Sequence, residues 1–310
     1  TTTDNIVTLT GNYAGQNVYG GSTSGTGSTA TGTDAKNHSI GNKITLTGAA
    51  SEVHHMTGGA TNIAGGKATG NHAILSDGRV TGNLTGGSAT NGEVSGNTVE
   101  INGGRVDFVT YGGVTGGTGT AKNNKVTLTN GTVHSDIYGG AASSGAATGN
   151  KVNIKGGSAA NHDVYGGFST NGNATGNIVT VTGGSVRNVV GGKVDTTGEA
   201  SGNIVTVGSL TVNSITGGAG TTTKDNTVNL HGATVSGAVT GGTQASGTGN
   251  TLNVKGMNTA QSVAGFQKMT FDTTGVAASG TMLNVTGGGQ TKVDWNTLTA
   301  GGNGRNITLM

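Results

Sequence analysis

The chain has 310 residues, including 64 glycines but neither cysteine nor proline, and its formal net charge is +2. The net charge is small and the 16 basic residues are scattered, so no footprint of a nucleic-acid-binding protein is present, and the lack of cysteine excludes disulfides and thiol chemistry. No run of 18 apolar residues predicts a membrane-spanning helix, so we expect no direct insertion of this segment into a membrane.

A unit of about 26 residues repeats along the chain, and ten of the units open with an asparagine. The five spacings between Asn71 and Asn203 are 26 or 27 residues, and the next two are 23 and 24. Because apolar residues recur at fixed places in these units, disorder of a glycine-rich chain is not the expected state. The anchors are Asn5, Asn42, Asn71, Asn97, Asn124, Asn150, Asn177, Asn203, Asn226 and Asn250.

Apolar residues lie two and four positions after each anchor. This alternation is typical of a β-strand with one buried face. We align an eleventh unit at Thr281 and expect residues 307–309 to begin a twelfth. The first column is Val7, Ile44, Ala73, Val99, Val126, Val152, Val179, Val205, Val228, Leu252 and Leu283. The second column is Leu9, Leu46, Leu75, Ile101, Leu128, Ile154, Val181, Val207, Leu230, Val254 and Val285.

One such unit cannot bury its apolar face alone, so we predict that successive units stack and pair in parallel about 4.8 Å apart. The predicted fold is all-β, a parallel β-helix (β-solenoid) of about 11–12 coils with about 26 residues per coil. We expect one domain over residues 1–310, most regular over 42–265 and looser, or forming a cap, over 266–310. Corners of a solenoid need positive φ, which glycine adopts freely and asparagine tolerates, and a recurring asparagine can bond to the coils above and below.

The units TGNKVNIKGGSAANHDVYGG, TGNIVTVTGGSVRNVVGG and NNKVTLTNGTVHSDIYGG resemble the Gly/Asn/Thr-rich repeats of bacterial type V autotransporter passenger domains. Nearly the whole chain, about residues 5–310, shares this resemblance. It implies a right-handed parallel β-helix at the bacterial cell surface or secreted, acting as a non-enzymatic adhesin or fibre segment. Host-cell surface proteins or glycans are the implied ligands. The resemblance supplies no catalytic motif and no cofactor.

Three tyrosines and three aspartates form the candidate ligand-binding site, on consecutive units: Tyr111, Tyr138, Tyr165, Asp107, Asp136 and Asp163. Alternation places Ile137 and Val164 inward, so we expect the neighbouring tyrosines and aspartates to point outward. Stacked tyrosines about 4.8 Å apart would bind a glycan by ring stacking, with carboxylates bonding its hydroxyls. A self-stabilising aromatic ladder and a retaining glycosidase pair are the other two interpretations.

Other functions have weaker support in the sequence. His54 and His55 adjoin Glu52, but neighbouring strand residues point to opposite faces, so we predict no metal site. The Thr-rich strands suggest an ice-binding array, which Glu100 and Asn153 interrupt. A polysaccharide-cleaving β-helix, such as a tailspike or lyase, is the main alternative to an adhesin. We also expect that uncovered strands at the ends of the stack would favour end-to-end self-association.

Overall fold

Strands of successive repeat units pair in parallel in the computed structural model, which describes residues 1–11, 14–23, 38–243, 247–277 and 280–287 and the backbone of 298–301. Within these residues there are many β-strands and no helix. The strands form a β-solenoid of about nine turns with roughly 26 residues per turn. The predicted all-β parallel solenoid is therefore confirmed.

Each complete turn contributes strands to three parallel sheets, named A, B and C in the order in which the chain visits them. In the described part of the chain, sheet A has nine short strands: Thr2–Thr3, Ser39–Ile40, Ala68–Thr69, Val94–Ser95, Ala121–Lys122, Ala147–Thr148, Ala174–Thr175, Glu199–Ser201 and Thr222–Lys224. Sheet B has twelve: Ile6–Leu9, Lys43–Leu46, His72–Leu75, Thr98–Ile101, Lys125–Leu128, Lys151–Ile154, Ile178–Val181, Ile204–Val207, Thr227–His231, Thr251–Lys255, Lys268–Asp272 and Leu298–Gly301.

Sheet C is the largest sheet, because most turns place both a two-residue strand and a longer strand in it. Its seventeen strands within the described residues are Ala14–Thr23, Glu52–Thr61, Arg79–Val80, Leu84–Ala89, Arg105–Val106, Thr110–Thr115, Thr132–Val133, Ile137–Ala142, Ser158–Ala159, Val164–Ser169, Ser185–Val186, Asn188–Val194, Thr211–Val212, Ser214–Ala219, Thr234–Gly242, Asn258–Ala264 and Leu283–Val285.

The two apolar columns of sheet B face the interior of the solenoid. Val126 pairs with Val152 and Leu128 with Ile154, so each column residue lies directly against its equivalent in the next turn. From Ile44 to Leu252 the column residues are fully buried, and they belong to one apolar cluster that runs along the stack. Small β-branched side chains fill this narrow interior, which explains why so few aromatic residues are used.

The alignment of the eleventh unit was wrong. Leu283 pairs with Asn258 in sheet C, so Leu283 and Val285 do not continue the columns of sheet B. Met269 and Phe271 continue them instead, because they pair with Leu252 and Val254. The misalignment arose because this turn has no anchor asparagine, and Gln267 accepts the hydrogen bond of the Asn250 backbone N–H at the equivalent corner.

The number of complete turns is smaller than the 11–12 coils predicted. The anchors mark the strands of sheet B, and the described chain has twelve of these strands. Within the same residues, sheet A receives a strand from only nine turns. After Thr222–Lys224 the next turn touches sheet A through one isolated bridge between Lys224 and Thr248. The turn from Asn250 to Gln267 is only 17 residues long, and among its residues, all of which are described, there is no strand of sheet A. The predicted strand at residues 307–309 lies outside the described residues.

The anchor asparagines form a buried ladder at the corner between sheets A and B. The side-chain amide of Asn150 donates to Oδ1 of Asn177 at 3.0 Å and to the carbonyl of Ala121 at 2.9 Å. Its own Oδ1 accepts from the backbone and side-chain nitrogens of Asn124 at 3.0 Å. The anchors from Asn42 to Asn250 are fully buried, so the ladder predicted from the sequence is confirmed.

The positive φ angle at this corner belongs to the residue before the anchor, not to the anchor asparagine itself. Gly149 has φ 65° and Gly176 has φ 62°. Asn123 and Asp225 take the same position with φ 54° and 55°, because these two residue types tolerate the left-handed region. The anchor is thereby free to turn its side chain inward.

Candidate functional site

The longer strands of sheet C are bent at a Gly-Gly pair, and this bend forms a groove on the outer surface. Tyr165 and Phe168 are three residues apart and would point to opposite faces of a flat strand. Their rings nevertheless meet edge to face, with centroids 6.4 Å apart. Because the strand turns at Gly166 and Gly167, both rings face the same concave surface. Equivalent bends follow one another from turn to turn, so the groove extends along the stack.

Three of the predicted site residues form a stacked ladder on one wall of this groove. The rings of Tyr138 and Tyr165 are 4.8 Å apart with an interplanar angle of 8°, and those of Tyr111 and Tyr138 are 5.3 Å apart at 19°. The separation matches the spacing of strands, so the rings lie face to face along the stack. Tyr138 therefore has a tyrosine ring against both of its faces.

Burial of the ladder differs from the outward exposure that alternation predicted. Ile137 and Val164 do point into the core, as expected. Tyr165, however, is only 8% exposed, because Phe168 packs against its ring and the amine of Lys193 lies 5.6 Å from the ring centroid. The bend in sheet C thus converts an outward-facing column into a half-buried one.

Two of the predicted aspartates hold the tyrosine hydroxyls. Tyr138 donates to Asp136 at 3.3 Å, and Tyr165 donates to Asp163 at 3.1 Å. Asp136 also accepts from the backbone N–H of Asp163 at 2.9 Å, which connects the two turns. These four residues form one hydrogen-bonded unit.

Asp163 is held in its ionised form. Burial opposes ionisation, but hydrogen bonds from Arg187 and Asn188, each at 2.8 Å, together with the charge of Arg187, outweigh it. The pKa of the Asp163 carboxyl therefore lies below its usual value. For Tyr138 and Tyr165 the effect of burial prevails: it raises their pKa values, and the nearby carboxylates raise them further.

Asp107 is not part of the tyrosine–aspartate unit. Its carboxylate pairs with Arg79 and Arg105, and Arg79 also bonds to Glu52 at 3.1 Å. The sequence placed Asp107 four residues before Tyr111, whereas Asp136 and Asp163 each lie two residues before their tyrosine. This difference in spacing is the reason that Asp107 belongs to a separate ion-pair cluster on the short strands of sheet C.

The tyrosine ladder is a part of a longer column that changes composition along the stack. Parallel pairing places equivalent residues in the order Tyr19, Thr57, Thr85, Tyr111, Tyr138, Tyr165, Val190, Thr216 and Thr240. At one end of the three-ring ladder lies Val190, with Lys193 over the last ring. At the other end, Thr85 and Thr57 separate Tyr111 from Tyr19. The column therefore has a gap two residues long.

Two clefts lie in the groove beside this column. The larger, of about 340 Å³, is at the gap and is lined by Tyr19, Ser22, His55, Thr57, Ala60, Thr61, Asn62, Asn83, Thr85, Ser88, Thr90 and Val114. The smaller, of about 180 Å³, lies beside Tyr111, Tyr138 and Phe168. Val114 lines both clefts, so they are neighbouring parts of one groove. The lining of both clefts carries hydroxyls, amides, aromatic rings and one imidazole, but no carboxylate or ammonium group among the described residues.

The two adjacent histidines do not point apart as predicted. Their rings are 4.2 Å apart, because the Glu52–Thr61 strand bends so that Val53 and Met56 both point inward and the two residues between them both lie outside. No group of three or more metal-ligating side chains occurs among the described residues. The same part of the chain has no helix that is long and apolar enough to cross a membrane.

Sequence reasoning missed the groove and several residues that shape it. Phe168 lies on the same strand as Tyr165, and Arg187 and Lys193 lie on the next turn. Tyr19 lies in the same column as Tyr111, three turns away. Aligning the units on the Gly-Gly pair instead of the asparagine anchor would have found this column, because each of these tyrosines directly precedes the pair.

Comparisons of the chain with protein-family models, with characterised proteins and with solved structures gave no match.

Proposed function

We propose that the chain is a non-enzymatic segment of an extracellular bacterial surface protein, of the adhesin type, whose sheet C groove binds glycans. The observation that carries this proposal is the groove itself. It combines aromatic walls with many uncharged hydroxyl and amide groups, a set typical of sites that bind carbohydrate hydroxyls and the apolar faces of sugar rings. The resemblance of the repeats to autotransporter passenger domains supports the location at the cell surface.

Binding fits the tyrosine–aspartate unit better than glycosidic cleavage does. A glycosidase needs one carboxylic acid with a raised pKa to protonate the leaving group. The pKa of Asp163 is lowered by Arg187, and Asp136 and Asp163 each accept a tyrosine hydroxyl. This arrangement suits carboxylates that orient the tyrosines, and it does not suit the acid–base pair of a glycosidase.

The experiment is binding of the purified chain to an array of immobilised neutral and acidic oligosaccharides, with reducing-end release measured in parallel. We expect retention on a subset of glycans without release of reducing ends. Val114→Lys places a charged chain at the junction of the two clefts and should abolish retention. Thr180→Lys, on the outer face of sheet B, is the matched control and should bind as the unmodified chain does. Absence of any glycan binding would refute the proposal, and release of reducing ends would favour a polysaccharide-cleaving enzyme.

A further inference from the structure

The gap in the tyrosine column has the dimensions of a slot for inserted rings. Tyr19 and Tyr111 stand at its two ends and are separated by three strand spacings, or about 14 Å. Thr57 and Thr85 occupy the positions between them, where the next three turns carry tyrosine. Among the described residues no aromatic ring covers the face of Tyr111 that is turned toward Thr85. The 340 Å³ cleft lies at this place.

The polar groups of the slot line the cleft, where Thr57 and Thr85 are 7% and 5% exposed. In the described part of the chain, the side chains of Thr57, Thr85, Ser88 and Asn83 make no hydrogen bond. Each hydroxyl can donate and accept, and the Asn83 amide offers both functions as well. A sugar ring presents hydroxyls of the same kind around an apolar face. A sugar hydroxyl that bonds to these groups supplies the partner that they lack within the protein.

His55 adds a donor with a fixed orientation. Its Nδ1 accepts the backbone N–H of Asn83 at 2.8 Å, so in the neutral ring the proton is on Nε2. Burial and the neighbouring His54 both lower the pKa of His55, which keeps the ring uncharged near neutral pH. The slot therefore presents no formal charge to a ligand under these conditions.

We infer that this slot binds the terminal ring of a neutral glycan, which stacks on Tyr111 and continues the ladder of Tyr111, Tyr138 and Tyr165 in place of a fourth tyrosine. This inference rests on the proposed glycan-binding function and narrows it to one site and one ligand class. The ring enters end-on from solvent, because the ladder holds its rings across the stack axis. Hydroxyls of the sugar bond to Thr85, Ser88 and the Nε2 proton of His55.

The test is to fill the slot with a tyrosine, the residue found at the next three positions of the column. Thr85→Tyr places a ring in register with Tyr111, so we expect it to preserve the fold and to weaken binding of arrayed glycans with neutral terminal sugars by about tenfold or more, a loss of about 1.4 kcal/mol. Thr216→Tyr makes the same substitution in the same column beyond the ladder and should leave binding unchanged. Free glucose, galactose and N-acetylglucosamine, titrated as competitors, should displace at least one of the bound glycans from the unmodified chain.

Three outcomes would overturn the inference while leaving the proposed function standing. The first is glycan binding that survives in Thr85→Tyr and is lost in Val114→Lys. The second is binding confined to glycans with acidic terminal sugars. The third is displacement by a tyrosine-containing peptide but by none of the free sugars, which would assign the slot to an aromatic side chain of a partner protein. If the unmodified chain bound no glycan, both the inference and the proposed function would be refuted.

Discussion

The carboxamide of Asn150 occupies the space that a side chain at Gly140 would need. A Cβ placed on Gly140 would overlap Cγ, Oδ1 and Nδ2 of Asn150. The Gly-Gly bend of sheet C and the buried asparagine side chain therefore pack directly against each other inside the turn. The same relation joins Gly113 to Asn124 and Gly167 to Asn177. The second glycine of the pair is needed for close packing, whereas the glycine before the anchor is needed for its φ angle.

Gly140→Ala should destabilise the stack by about 1–3 kcal/mol, the usual cost of forcing an extra methyl group into a packed interior. Equilibrium unfolding in urea measures this free energy. Gly176→Asn is the matched control, because Gly176 has φ 62°, its Cβ would meet nothing within 4 Å, and Asn123 adopts a similar φ. We expect a much smaller loss for the control. Equal losses would show that backbone φ, and not overlap with asparagine, sets the requirement for glycine.

Asn150→Asp tests the ladder itself. The substitution removes the donor to Asn177 and Ala121 and places a carboxylate in a fully buried position. Loss of partners for buried polar groups together with burial of a charge should cost about 3 kcal/mol or more. Asn153→Asp changes a partly exposed residue of sheet B on the next strand and should cost far less. Similar urea midpoints for the two variants would contradict the ladder as a source of stability.

The repeating features of the fold could be predicted from the sequence because each has a local cause. Val126, Val152 and their equivalents follow the anchor at a fixed distance, and alternation alone assigns them to the interior. The asparagine ladder follows from recurrence of one residue at one corner. The C-terminal register could not be predicted in the same way. Gln267 replaces the anchor there, so the pattern that aligned the other units was missing.

The groove could not be predicted because it depends on a bend. Alternation assumes a flat strand and therefore placed Tyr165 outward and exposed. The strand continues through the Gly-Gly pair and changes direction there, around the asparagine side chain. Contact between Tyr165 and Phe168 follows from that change of direction, and so do both clefts.

Phe271→Ala tests the corrected register. Phe271 is 1% exposed and pairs with Val254 at the end of the interior column, so truncation should leave a cavity and cost about 3–5 kcal/mol. Val285→Ala removes a partly buried residue that the sequence alignment had placed in the same column. We expect the smaller loss for Val285→Ala in thermal or urea unfolding. A larger loss for Val285 than for Phe271 would restore the original alignment.

The tyrosine ladder should make stability fall at alkaline pH. Burial, and after it the charge of Asp136, raises the pKa of Tyr111 and Tyr138, and burial together with Asp163 and Asp136 raises that of Tyr165. The folded chain therefore holds these protons more tightly than the unfolded chain, in which tyrosine titrates near pH 10. The stability that results is fully present below about pH 10 and is lost progressively as the pH rises above it.

Two measurements check this prediction. At about pH 11, where tyrosine in an unfolded chain is mostly ionised, the folded chain should show less tyrosinate absorbance than the same chain in urea, with five tyrosines contributing to the unfolded signal. The free energy of unfolding should decrease as the pH rises from about 10 to about 12, and it should decrease less in the triple variant Tyr111→Phe, Tyr138→Phe, Tyr165→Phe, which has no ladder hydroxyl to titrate. Equal tyrosinate absorbance in the folded and unfolded chains would contradict the ladder, because it would mean that these hydroxyls are neither buried nor held next to carboxylates.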